Sequence, residues 1–181
     1  MVRLTAGTWR GRKLEVPPGV RPSTELARKA AFDILGEGIV GARVLDACAG
    51  SGAFGLEALS RGAAHATFVE ADRRAAEILR GNVKRLGAGE RAVIEEMSVA
   101  RFSSSRDVAA FDVVFHDPPF DEDSRSDLVL LISLVRPGGW LFHERGDDEI
   151  LRPHGLEPAD RRRYGTTRFL VFRPSKARPP C

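Results

Sequence analysis

From Arg43 to Phe172, short apolar runs alternate with stripes of helical period, and few folds satisfy that alternation. RVLDAC, ATFVEA, AVIE, FDVVFH and WLFHE read as strands. Between them AFGLEALSRG reads as a helix ending at Gly62. Asp72 caps another helix, whose Ala75, Ala76, Leu79, Val83 and Leu86 face inward. DLVLLISLV is a helix with Leu128, Leu131, Ile132 and Val135 on one side, followed by a turn at RPGG. Strands joined by helices through short connections run parallel, in a sheet covered on both faces. The fold class is therefore α/β and doubly wound. In such sheets ligands bind beyond the carboxyl ends of the strands, where strand order reverses.

Residues 1–22, rich in Gly, Arg and Pro, read as a basic arm or short hairpin, and residues 23–173 as the main domain. Ser23 or Thr24 caps a first helix with Ala27, Ala30, Ala31, Ile34 and Leu35 on one stripe. RRRYGTTRFLVFR ends a hairpin whose last strand is Thr167–Phe172, and residues 174–181 are expected to be a disordered tail. A chain of 181 residues suits one domain. Its apolar runs are too short for a membrane helix, no secretory leader is visible, and Cys48 and Cys181 make no disulfide framework. A cytoplasmic monomer is expected. The net charge of +3 conceals basic ends on an acidic middle: seven Lys/Arg against two Glu in residues 1–30, and seven against no acid in residues 161–181. That pattern suits a polyanion such as nucleic acid, or simply keeps the chain soluble.

LDACAGSGAFG places Gly50, Gly52 and Gly55 in the G-x-G-x-x-G spacing of dinucleotide sites, but Asp46 stands four residues before the first glycine. A carboxylate with a reference pKa of about 3.9 repels a pyrophosphate and attracts a cation. S-adenosylmethionine, carrying an ammonium and a sulfonium, fits that sign; a helix cap or turn role for Asp46 is the structural alternative. Glu70, at the end of the second strand, is placed to accept hydrogen bonds from ribose hydroxyls. FHDPPF puts Asp117, Pro118, Pro119 and Phe120 directly after the fourth strand, which in a doubly wound sheet lies beside the first. Asp117 and the Pro118 carbonyl can accept both hydrogens of an exocyclic amino group, while Phe120 stacks on the base.

DACAGSG followed by DPPF resembles class I S-adenosylmethionine-dependent methyltransferases acting on exocyclic amino groups of nucleic acid. With TAGTWRGRKLEVP, RPSTELARKAAFDIL and the late YGTT, nearly the whole chain resembles the RsmD family of bacterial 16S rRNA guanine-N2 methyltransferases. The resemblance implies a Rossmann-like, seven-stranded, mainly parallel sheet with helices on both faces and an antiparallel last strand. It implies S-adenosylmethionine as cofactor and 16S rRNA or the small ribosomal subunit as partner. It assigns Asp46, Gly50, Ser51 and Gly52, with the adjoining Ala49, to the cofactor loop. Glu70, with Ala71 beside it, becomes the ribose ligand, and Asp117 to Phe120 the catalytic tetrad. After the third strand the family often has an acidic or amide residue at the adenine; here Met97 and Ser98 stand there, and Ser98 is the candidate substitute.

Arg10, Arg12, Lys13 and Arg21 of the arm, with Arg161, Arg162 and Arg163, are candidate phosphate contacts. Trp9 either stacks on a base or anchors packing. Cys48, away from any Pro-Cys pair after the fourth strand, reads as a small buried side chain rather than a nucleophile. His65, His116, His143 and His154 lack metal-ligand spacing, so no metal is expected; His116 and His143 read as core groups ending neighbouring strands. A DNA amino methyltransferase (adenine-N6 or cytosine-N4) and a non-catalytic nucleotide- or RNA-binding module, including an NAD-binding protein, are the alternatives.

Overall fold

The computed structural model describes residues 2–19, 25–119, 125–145, 152, 157–164 and 167–174. β1 (Val2–Arg3) and β2 (Lys13–Leu14) pair as an antiparallel hairpin. α1 (Glu25–Leu35) leads into β3 (Arg43–Ala47), α2 (Ala53–Ser60), β4 (His65–Glu70), α3 (Arg73–Leu86) and β5 (Ala92–Glu96). α4 (Val99–Ser104), β6 (Phe111–His116), α5 (Arg125–Leu134), β7 (Val135–Arg145), β8 (Asp160–Tyr164) and β9 (Thr167–Phe172) follow. The main sheet has seven strands in the order β5-β4-β3-β6-β7-β9-β8. β5 through β7 run parallel, and β9, the last strand in the chain, runs antiparallel between β7 and β8.

From β3 the chain steps outward to β4 and β5, then returns to the other side of β3 at β6. The strand order reverses there, so the carboxyl ends of β3 and β6 flank a crevice. Both strands are almost wholly buried, as parallel strands covered on both faces must be. Alternate side chains feed two cores. Val44, Val113, Phe115 and Phe142 pack with Phe32, Phe54 and Phe68 beneath α1, α2 and α3. Phe115 lies 4.7 Å from Phe54 and 5.4 Å from both Phe32 and Phe142, centroid to centroid. Leu45, Ala47, Val114 and Leu141 pack on the opposite face with Phe102 of α4 and Leu128 and Leu131 of α5.

Local chemistry sets the helix ends. The Asp72 side chain accepts from the Ala75 N–H, and Gly87, left-handed at φ 67°, ends α3. α1 carries the expected stripe, although its capping candidates Ser23 and Thr24 lie outside the described residues. Two features depart from the sequence reading. α4 was not anticipated: it is six residues long, too short for a periodic signal, and Ser98 caps it. RPGG is the irregular start of β7, where the register against β6 shifts between Phe111 and Val113, rather than a separate turn. Of the two readings of residues 1–22, arm or short hairpin, the structure has the hairpin, and it is packed on the domain.

The hairpin is held by polar groups of α2. Glu57, fully buried, accepts from the Thr5 N–H and hydroxyl at 2.7 Å each, the Ala6 N–H at 3.0 Å and Arg61 Nε at 2.7 Å. The Ser60 hydroxyl donates to the Ala6 carbonyl at 2.6 Å and accepts from the Trp9 N–H at 2.9 Å. Gly7, at φ 75°, passes so close that a Cβ there would sit 1.8 Å from the Ser60 carbonyl oxygen. Val2, Leu4 and Leu14 enter the first core. Glu57→Ala is expected to destabilise the fold by about 1–3 kcal/mol, because three hairpin donors and the half-buried Arg61 lose their acceptor. Arg73→Ala, breaking an exposed pair with Glu77, should stay within about 0.5 kcal/mol. Urea unfolding of both variants checks the contrast.

Candidate active site

Past Ala47 the chain turns sharply beneath the crevice. Cys48 takes φ 60°, Gly50 φ 54° and Gly52 φ 79°. The Ala49 N–H donates to the Val69 carbonyl at 3.0 Å and the Gly52 N–H to the Ala49 carbonyl at 2.7 Å. Glu70 grips the same loop: Oε2 accepts from the Gly50 N–H at 2.7 Å and Oε1 from the Asp72 N–H at 2.8 Å. A carboxylate oxygen has two lone pairs, so each retains capacity for a hydroxyl donor. Ala71 beside it is exposed, and Ser51 is buried.

Asp46 is not an open charge facing a ligand. It is 1% exposed, and its Oδ2 accepts from the Gly55 N–H at 2.8 Å, in the first turn of α2. Burial raises its pKa well above the ordinary carboxylate value; Gly55 lowers it, Asp117 and Glu70 raise it further, and Arg28 opposes them. The glycine spacing also has a packing cause. A Cβ on Gly52 would lie 2.4 Å from Leu79 Cδ1, and one on Gly55 2.3 Å from the Phe68 ring. Those two glycines let α2 approach α3 and β4, so Gly52 is committed to packing; of the first two glycines, only Gly50 joins its N–H to Glu70.

β6 delivers the second half. Its register sets Asp46 opposite Phe115 and Ala47 opposite His116, and the Asp117 N–H points to the Ala47 carbonyl at 3.4 Å. Asp117 and Pro118 are half-buried and Pro119 is exposed, at the mouth of the crevice; Phe120 lies outside the described residues. Burial pushes the Asp117 carboxyl up to about 7 against the pull of Arg28.

Three residues of this centre escaped the sequence reading. Arg28 of α1 is 1% exposed and donates through Nη2 to the Arg3 carbonyl at 2.8 Å. Burial lowers its pKa, while Glu57, Glu25, Glu144 and Asp117 raise it. Glu144, on β7, is buried too. Arg28 stands three, four and seven residues before Ala31, Phe32 and Leu35, so the stripe itself marked it as inward-facing. Asn82 of α3 is fully buried. Its Nδ2 donates to the Ser51 carbonyl and the Glu15 carbonyl at 2.9 Å each, and its Oδ1 accepts from the Glu15 N–H at 3.0 Å and from Arg85. One amide thus ties the loop to the hairpin.

Other candidates sit elsewhere. The Ser98 hydroxyl is occupied at the cap of α4, accepting from the Arg101 N–H at 3.3 Å. Trp9 is half-buried against the first core, with Arg91 5.4 Å from its ring centroid, so packing is its role. Arg10, Arg12 and Lys13 are exposed on the hairpin, Arg12 donating to the Arg85 carbonyl at 3.3 Å. Arg161 pairs with Glu157 at 3.2 Å and Arg162 with Asp160 at 2.8 Å, while Arg163 is exposed on the same strand. Arg21 lies outside the described residues. Cys48 is half-buried rather than buried. His116 and His143 are buried neighbours with Nδ1 atoms 3.1 Å apart, and burial pulls His116 down to about 3.

A family model described as conserved hypothetical protein 95 matches residues 2–173. Ribosomal RNA small subunit methyltransferase D of Escherichia coli is 43% identical over 145 residues, 79% of this chain and 71% of that one. The structure of the putative methyltransferase yhhF from Escherichia coli superposes with a TM-score of 0.84 at 32% identity, covering 97% and 99% of the two chains. The T. thermophilus 16S rRNA N2 methyltransferase RsmC, solved with AdoMet and guanosine, shares the fold at 24% identity and a TM-score of 0.69, over 87% of this chain and 44% of that one.

Asn82→Ala is expected to cost about 1–3 kcal/mol by leaving buried backbone groups unpaired, and to speed amide exchange of residues 49–53. Unchanged exchange there would show that the amide serves the hairpin alone.

Proposed function

The chain belongs to the RsmD family, described as conserved hypothetical protein 95, and from that membership we propose that it transfers the methyl group of S-adenosylmethionine to the exocyclic N2 of a guanine in 16S ribosomal RNA. One observation carries the reading: the pairing of β3 with β6, which sets the Asp46 loop and Asp117-Pro118-Pro119 side by side at the point where strand order reverses.

The residues suit the cofactor by charge and by donor chemistry. Asp46 is coupled electrostatically to Glu70 and Asp117, so a cation entering beside them favours their charged forms and a phosphate opposes them. Glu70 holds the loop with two N–H bonds and presents its remaining lone pairs to a ribose diol. Ala49, Gly50 and Ser51 shape the wall above it, with Asn82 holding Ser51 from behind. S-adenosylmethionine supplies an activated methyl, so the protein's task is placement. Asp117 and the Pro118 carbonyl accept the two hydrogens of the guanine amino group and turn its lone pair toward the methyl. The bound cofactor would supply its methyl to N2, leaving the C–S bonding pair on sulfur, and Asp117 stands beside the N2 proton that would leave. Phe120 is assigned the stacking role by the family motif. The base enters unpaired or flipped.

Arg10, Arg12, Lys13 and Arg21 on the hairpin side, with Arg161, Arg162 and Arg163 on β8, are assigned to RNA phosphates, and the protein acts as a cytoplasmic monomer. No helix among the described residues is long and apolar enough to cross a membrane.

Methyl transfer from labelled cofactor to 16S rRNA, assembled small subunits and duplex DNA, followed by nucleoside analysis, tests the reading. N2-methylguanosine is expected; methyl on adenine N6 or cytosine N4, or none on RNA, overturns it. Asp117→Ala should lower turnover at least about 100-fold with a much smaller change in S-adenosylhomocysteine affinity. Replacing Arg10, Arg12 and Lys13 together by Ala should reduce the slope of log affinity for RNA against log salt by about 1–3, since up to three phosphate contacts are lost. An unchanged slope would remove the hairpin from the interface.

A further inference from the structure

The sheet separates two sets of polar groups that meet the crevice from opposite faces. Val113 and Phe115 point into the first core and Asp117 continues that side, with Arg28. Val114 points into the second core, and His116 continues that one. On this second side the donor atoms of Cys48, His116 and Asp127 all lie within 4.8 Å of one another. They come from three elements: the turn after β3, the end of β6 and the first turn of α5.

His116 supplies the independent sign of a ligand. It is 1% exposed, and its Nε2 is buried with no hydrogen-bond partner among the described residues. Its other nitrogen, Nδ1, faces His143 Nδ1 at 3.1 Å. When His116 keeps its proton on Nδ1 and donates it to His143, the Nε2 lone pair is left for a metal. That is how a ligating imidazole is ordinarily oriented by a second group. Cys48 is in no disulfide, and Asp127 is half-buried.

We propose that Cys48, His116 and Asp127 form a binding site for Zn²⁺, with His143 orienting the imidazole. Thiolate, imidazole and carboxylate together suit zinc rather than magnesium or calcium. At ordinary zinc–ligand lengths, tetrahedral donors stand roughly 3.3–3.8 Å apart, so a closure of at most about 1–1.5 Å from the present spread completes the set. Three protein donors leave the fourth position to water. The ion would join the cofactor loop, the strand carrying Asp117 and the start of α5 into one unit. The site owes nothing to the substrate assigned above, and metal binding is measured without methyl transfer.

The test is titration of the full chain, carrying Cys181→Ser so that Cys48 is its sole thiol, with Co²⁺ and with Zn²⁺ against a chromophoric chelator. One equivalent of metal, a thiolate-to-cobalt charge-transfer band, and a rise in Tm with zinc are expected. Cys48→Ser should abolish the band, and Asp127→Asn should keep it while weakening zinc at least about 10-fold. Asp127→Asn guards against a folding defect at the buried positions. Less than one equivalent bound by the folded protein, or zinc held equally well by both variants, overturns the proposal.

Discussion

The pairing of β3 with β6 is the constraint on which the rest depends. The two strands are far apart in the chain, yet their parallel register brings Ala47 against His116 and carries the Asp117 N–H to the Ala47 carbonyl. The pair is stable because each strand is apolar on both faces and each face is covered. A slip of one residue would send Phe115 to the α5 side and His116 into the aromatic stack beneath α1. The same register fixes which polar groups share a face beyond the last apolar residue, and so separates Asp46, Asp117 and Arg28 from Cys48 and His116.

Burial of polar groups extends that constraint to the hairpin. Glu57, Asn82 and Arg28 each sit in the interior, and each is matched to groups of the first fifteen residues: Thr5 and Ala6, Glu15, and the Arg3 carbonyl. Unpaired, such groups would be strongly destabilising. The consequence is that the basic residues Arg10, Arg12 and Lys13 project from a segment fixed relative to the glycine loop after β3, through a path as short as Glu15–Asn82–Ser51. An exposed arm joined by a flexible linker would give them no fixed distance from the crevice.

The strand and helix pattern from Arg43 onward was legible because burial on both faces leaves runs such as RVLDA and FDVVFH almost free of interruption, and because α3 carries its cap, stripe and terminal glycine in plain order. The two loops at the crevice were legible for the same reason: they follow the strands that the pattern identifies. What a linear reading misses is partnership. Arg28 and Asn82 occupy inward positions of their helices, but only the folded chain shows the carboxylates and carbonyls that receive them. Asp46 reads as an ionised carboxylate facing a cation, with a helix cap as the alternative, since nothing local in LDACAGSG reveals that the Gly55 N–H meets it. Cys48, His116 and Asp127 are separated by 68 and 11 residues, so no metal-ligand spacing links them until the sheet does.

The acidity of the crevice decides between ligands that the glycine spacing alone leaves equal. Asp46 is held in an uncomfortable place: burial opposes its charge, and Asp117 and Glu70 add to that opposition, with only Gly55 and Arg28 against them. At an effective dielectric near 20, two unit charges about 4 Å apart interact by roughly 4 kcal/mol. A pyrophosphate entering beside Glu70 would add a repulsion of that order to a carboxylate cluster already short of counter-charge. A ligand bringing an ammonium and a sulfonium would reverse the sign of the same interaction and favour the ionised carboxylates. Arg28 cannot supply this counter-charge alone, because Glu57 and Glu144 share it from within the core. In the proposed site the glycines shape the loop, and the carboxylates around it set the sign of the ligand it would favour.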